Sequence, residues 1–214
     1  MAADVMILAD GRRLNWHEFG DSDGAPVIYT AGTPVSGLGG RCYDETARAA
    51  GLRWISPDKP GYGGSGFHRE RSLISWADDL AALADRLGLD RFALAGESGG
   101  GPFTVAAAHQ LAKRVSVVAL MAPSGPTLRA ERAGVQARNR VTGWLARNAP
   151  ALNVVPLAAM RRSLATPERR ERILRQEMAA APDASPAGLR MEIEAVAGVD
   201  RGAEIMSVLA SHAI

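Results

Sequence analysis

From residue 91 to residue 121 the chain reads as strand, glycine turn, helix, strand. Residues 91–95 form a short, mostly apolar run, 96–101 a tight turn, 102–114 a helical stretch and 115–121 an almost wholly apolar run. Strands connected through a helix pair parallel in one sheet, and such crossovers are right-handed almost without exception. A short apolar run without alternation predicts a strand covered on both faces. This unit constrains the fold more than any other part of the chain. It requires a layered α/β architecture and excludes an all-helical bundle or an antiparallel sandwich.

The upstream sequence extends the same pattern. Residues 5–8 and 14–19 are strand-like and flank Asp10-Gly11, a hairpin dipeptide. Residues 26–30 and 52–56 are further apolar strands. Between them, 43–50 reads as a short helix stopped by Gly51. Residues 57–66 are too rich in proline and glycine to be anything but a loop. Leu73, Trp76, Leu80, Leu83 and Leu87 then share one helical face. Ser75 to Asp78 has the form of a capping box, and Ser72 is the other possible start. Strand signals end after Pro126. Helical stretches are expected at about 130–148, 152–164, 167–180 and 187–197, with start signals at Thr166-Pro167 and Ser185-Pro186. The expected organisation is an α/β core over residues 1–126 and a helical cap over 127–214. Trp144, Leu145, Leu152, Val155, Leu157 and Met160 are expected to face the site or the core.

One motif carries chemistry. Gly96-Glu97-Ser98-Gly99-Gly100 fits G-x-S-x-G and falls between a predicted strand and a predicted helix. That context is what a nucleophile elbow needs, a sharp turn that holds the serine in a strained backbone conformation. The opening turn of the next helix supplies N–H groups near a developing oxyanion. An oxyanion hole of this kind takes one N–H from the residue after the serine, here Gly99. It takes the other from the loop after the third strand, here Ala31-Gly32-Thr33-Pro34, where the Thr33 N–H is the donor.

These blocks, with Pro57-Asp58-Lys59-Pro60-Gly61-Tyr62-Gly63-Gly64-Ser65, resemble the α/β-hydrolase fold superfamily. The likeness is to its capped esterase and proline-iminopeptidase type members. It covers residues 5–126 in order and the cap more loosely. It implies a mostly parallel sheet of the α/β-hydrolase type, with an N-terminal β-hairpin and a helical cap. It further implies Ser98 as nucleophile, Thr33 and Gly99 as oxyanion donors, and a small-molecule substrate with an ester, amide or related acyl bond. Ala31 stands where the family most often has histidine.

A serine nucleophile also needs a base and an orienting acid, which follow it in the order acid, then histidine. His17 and His68 precede Ser98, and His109 lies in the helix behind it. His212 is third from the last residue, with no strand pattern leading to it. Pro123-Ser124-Gly125 offers no carboxylate after the sixth strand. Glu97 is expected to orient a loop or shape the site, and Asp58 lies near it. The expectation is a hydrolase whose last core strands are absent and whose activity as this chain is impaired. The alternatives are a non-catalytic ligand- or partner-binding protein and a truncated gene product. The 115–121 strand would then be an open edge through which copies could associate.

No cofactor is expected. Residues 61–66 fit G-x-G-x-x-G, but residues 67–71 intervene before the next helix starts, so no dinucleotide site follows. No phosphate-loop motif and no metal-ligand spacing occur. The net charge is +2, and the arginines of the second half alternate with acids such as Glu168, Glu171 and Glu177. That argues against nucleic acid as a partner. The longest apolar run is far shorter than the ~20 residues of a membrane helix. The single cysteine, Cys42, and the lack of a signal pattern at the start fit a cytoplasmic location.

Overall fold

The computed structural model describes residues 4–124, 144, 148, 149, 152, 159, 162, 163 and 165–180. The chain divides into two units, Met1–Ser124 and Gly125–Ile214. The first contains six strands: β1 (Asp4–Ile7), β2 (Arg13–Gly20), β3 (Ala25–Thr30), β4 (Leu52–Pro57), β5 (Phe92–Glu97) and β6 (Val115–Met121). They form one sheet in the order β1-β2-β4-β3-β5-β6. β1 and β2 make the expected hairpin. β2 runs antiparallel to β4, and the β4-β3, β3-β5 and β5-β6 pairs are parallel.

Helices α1 (Asp44–Ala49), α2 (Leu73–Arg86) and α3 (Gly101–Gln110) complete the first unit. β3 and β5 are apolar up to their last residues, Thr30 and Glu97, because both sheet faces are covered. On one face Ile28 and Leu94 meet Trp76, Leu80 and Leu83 of α2 and Ala107 of α3. On the other, Val27, Tyr29, Trp54 and Ala95 pack with Ala47 of α1. Each fully buried large side chain contributes roughly 1.5–3 kcal/mol.

The structure decides one open choice and corrects two expectations. Of the two serines that the sequence offers, the cap of α2 is Ser72. Ser72 Oγ accepts from the Ser75 N–H at 3.0 Å, and Ser75 Oγ accepts from the Ser72 N–H at 2.8 Å. This reciprocal pair starts the helix three residues earlier and leaves Leu73 on its exposed first turn. Helix α3 ends at Gln110, where residues 111–114 turn back so that Arg114 O can accept from Phe92 N. Finally, β6 is not covered on both faces. Its neighbour among the described residues is β5, and Val117 stays 61% exposed, with Val118 and Leu120 also exposed.

In the second unit the described helix is α4 (Pro167–Ala180), and Thr166 Oγ1 accepts from Arg169 N as its N-cap. The helices expected at 130–148, 152–164 and 187–197 lie mostly or wholly outside the described residues. So do Leu145, Val155, Leu157 and Met160. Trp144 and Leu152 are exposed, so neither is a core residue. Among the described residues no helix is long and apolar enough to cross a membrane.

Candidate active site

β5 ends at Glu97, a single 3-10 turn carries Ser98–Gly100, and α3 starts at Gly101. At this turn Ser98 adopts φ +44. A non-glycine residue in the left-handed region costs about 1–3 kcal/mol and persists only where its surroundings hold it. The holding contacts are close. A Cβ on Gly96 would come within 2.7 Å of Thr104 Cβ, and one on Gly100 within 2.7 Å of the Ala31 carbonyl oxygen. The Ser98 carbonyl accepts from Ser124 N at 2.8 Å. Glycine at 96 and 100 therefore lets α3 and the end of β3 close on the elbow.

The loop after β3 lies directly against Ser98. A Cβ on Gly32 would be 3.3 Å from Ser98 Cβ and 3.9 Å from its Oγ. A Cβ on Gly99 would be 3.3 Å from the Thr33 nitrogen. The structure thus brings together Ser98, Thr33 and Gly99, all three residues singled out in the sequence. The Thr33-Pro34 peptide is cis.

Two buried charged side chains hold this region, and they are adjacent in sequence. Asp58 is fully buried. Its Oδ1 accepts from Gly37 N at 2.6 Å, and its Oδ2 accepts from Asn15 Nδ2 at 2.7 Å and Gly64 N at 2.8 Å. It joins β2, the 3-10 turn at Gly37–Tyr43 and the glycine loop. Asp58→Ala would strand two buried donors, Gly37 N and Asn15 Nδ2, and is expected to cost about 2–4 kcal/mol, read from the urea midpoint at unchanged slope.

Lys59 was not singled out in the sequence. The available signal was that only two of the 25 basic residues are lysine, and one of them sits in this loop. It is 1% exposed. Its Nζ donates to Ala31 O at 2.6 Å, Gly32 O at 3.1 Å and Val35 O at 3.5 Å, and it lies 4.4 Å from the Tyr62 ring centroid. Burial pushes its amine down from 10.5 to about 7. The Asp58 charge opposes this shift, and the Arg71 charge adds to it. Between pH 7 and 10.5 the unfolded chain therefore binds a proton that the folded protein has released, so stability rises with pH across that window. Below about pH 7 both states carry the proton and the burial cost is fully present. The expected rise is on the order of a few kcal/mol. It should be absent from Lys59→Met in urea unfolding at pH 6, 8 and 9.5.

Glu97 accepts from the Tyr29 hydroxyl and from the Tyr43 hydroxyl, the latter at 3.4 Å. The rings of Tyr29, Tyr43 and Trp54 lie 5.1–5.3 Å apart. Burial, first, and the Glu97 carboxylate push the Tyr29 hydroxyl far up, which keeps it a donor. Glu97 is thus tied to the packing on the α1 face.

The histidines lie elsewhere. His17 is on β2, with its Nε2 3.5 Å from Asn15 Nδ2, and burial lowers its pKa. His68 is in the loop before α2, and His109 is in the last turn of α3. His212 lies outside the described residues.

The family model described as alpha/beta hydrolase fold matches residues 27–189. The chain is similar to the dihydrolipoyllysine-residue acetyltransferase component of the acetoin cleaving system of Pseudomonas putida. The two are 33% identical over 120 residues, 54% of this chain and 31% of that protein. It is also similar to 2-hydroxy-6-oxo-2,4-heptadienoate hydrolase of Pseudomonas putida F1. There the identity is 31% over 124 residues, 56% of this chain and 44% of that protein. The match thus spans less than half the length of either relative. Among solved structures, epoxide hydrolase CorEH shares the fold with a TM-score of 0.68 at 16% identity, over 99% of this chain and 72% of that one.

Proposed function

The chain belongs to the alpha/beta hydrolase fold family, and on that premise we propose that it cleaves a small ester, amide or related acyl bond through Ser98. The observation that carries the reading is the backbone of Ser98, a non-glycine residue at φ +44 between a parallel strand and a helix. Such strain has a cost, and a use for it is to present a hydroxyl above the sheet. The Oγ attacks the carbonyl carbon as its proton passes to water, and the oxyanion formed from the C=O pair takes hydrogen bonds from the N–H groups of Thr33 and Gly99. Its collapse breaks the bond to the alcohol or amine, which leaves with a proton from water, and a second water hydrolyses the acyl-serine. The names of the two relatives each contain a carbonyl group, acetyl in one and 6-oxo in the other, which supports carbonyl carbon as the point of attack. The second unit is assigned the role of a helical cap that sets substrate choice.

A second reading, binding without catalysis, is favoured by one observation. None of His17, His68 and His109 makes a hydrogen bond to Ser98. The test that separates the two uses the full chain with a fluorophosphonate and activated phenyl esters. Labelling of Ser98, with ester turnover that is lost in Ser98→Ala, supports the hydrolase. No labelling, with equal rates in both proteins, would sink it. A rise in melting temperature with an apolar ligand would then support binding.

A further inference from the structure

We propose that Lys59 is the positioning residue of the oxyanion loop, fixing the Gly32–Thr33 peptide so that its N–H points at the site of Ser98. The proposal rests on the reading of Ser98 as nucleophile and deepens it. It starts from peptide geometry. The carbonyl of Gly32 and the N–H of Thr33 belong to one planar trans unit and point in opposite directions. Whatever holds the oxygen therefore aims the hydrogen.

The oxygen has two donors. Val35 N lies 3.1 Å from Gly32 O and closes the turn on itself. That bond sets the internal shape of the turn but does not orient it against the rest of the protein. Lys59 does so, since its Nζ reaches the carbonyls of Ala31, Gly32 and Val35 from outside the turn. One ammonium thus draws three carbonyls of a five-residue loop to a single point. The amide face of the loop is left toward Ser98, where the Thr33 nitrogen lies against Gly99.

Lys59 is itself held. The Tyr62 ring lies against its ammonium, the Arg71 guanidinium is 5.7 Å from the same ring, and Arg71 Nη1 donates to Pro60 O at 3.0 Å. The charged groups that act on it are Asp58, Arg71 and Glu97. A lysine that only filled space would not need three carbonyl acceptors at 1% exposure. An apolar side chain would do that at lower cost.

The test has an arm that needs no turnover and no variant. In the unaltered chain, labelled on lysine Cε and on backbone nitrogen, a pH titration follows Lys59 and the amide of Thr33 together. The expected result is that the Thr33 and Val35 amide resonances move with the midpoint of Lys59. A Thr33 amide that stays still while Lys59 titrates overturns the proposal. Lys59→Met and Lys59→Gln form the second arm. Methionine removes every donor, and glutamine keeps two N–H groups. Loss of one oxyanion donor costs ~10²–10³ in kcat. Lys59→Met is therefore expected to lose about 100-fold in kcat with KM within about twofold, and Lys59→Gln to recover part of it. An equal fall in both variants, or a loss confined to KM, counts against positioning. Should Ser98→Ala turn over esters like the unaltered chain, the hydrolase reading falls, and the amide titration still decides the role of Lys59.

Discussion

Ser98→Ala is expected to abolish covalent labelling by a fluorophosphonate and to cut hydrolysis of activated esters to the residual rate that the oxyanion donors and binding alone supply. The size of the drop carries more information than its direction. In a complete triad, loss of the serine costs about as much as loss of all three members, on the order of 10⁶ in kcat. The members act as one unit, so a serine without its base contributes little that alanine could remove. A drop of ~10⁴–10⁶ would therefore mean that a base acts on Ser98 in this chain, although none of the described histidines is bonded to it. A small drop from a low starting rate would mean that the oxyanion donors do most of what remains. Measuring kcat for the chain and for Ser98→Ala over the same esters distinguishes these outcomes. Retained labelling in the variant would assign the reactive hydroxyl elsewhere.

The second large effect is expected at Gly100. A Cβ there would fall onto the Thr30 carbonyl oxygen and come within 2.7 Å of Ala31 O and 2.9 Å of the Thr30 carbonyl carbon. All three are backbone atoms at the end of a central strand, so no rotamer change relieves the overlap. Overpacking of side chains costs 1–3 kcal/mol. Against backbone the cost of Gly100→Ala should exceed that, at about 4 kcal/mol, with the elbow displaced in whatever remains folded. Gly88→Ala is the control. Its φ is +67, but nothing lies within 4 Å of the added carbon, so only the conformational cost of about 1 kcal/mol applies. Thermal melts of the two variants should differ by about 10 °C in a chain of this size. Equal melting temperatures would mean that the elbow is looser than its contacts imply.

Most of the first unit was legible in the sequence. Strands betray themselves through apolar runs, and the turn at Gly96–Gly100 announces its strain through its glycines. The cap of α2 was harder because two serines three residues apart satisfy the same pattern, and only the reciprocal bonds between Ser72 and Ser75 decide between them. The exposure of β6 was misread because an apolar run predicts cover without naming the neighbour that supplies it. The placing of Ser98, Thr33 and Gly99 together is readable because each is set by local backbone. The placing of Lys59 is not, because its acceptors are three carbonyls 24 to 28 residues away in the chain. Sequence spacing carries no trace of that convergence.

Among the described residues β6 pairs with β5 alone and carries exposed side chains on both faces, so it is expected to open at a lower free energy than β3, β4 and β5, each paired on two sides. Three residues beyond its end is Ser124, whose N–H holds the Ser98 carbonyl. Each local opening of this strand therefore releases one restraint on the strained φ of Ser98. The geometry of the Ser98 turn is linked to an edge strand of the sheet, so whatever lowers the opening probability of β6 is expected to raise the fraction of time that Ser98 keeps its strained backbone.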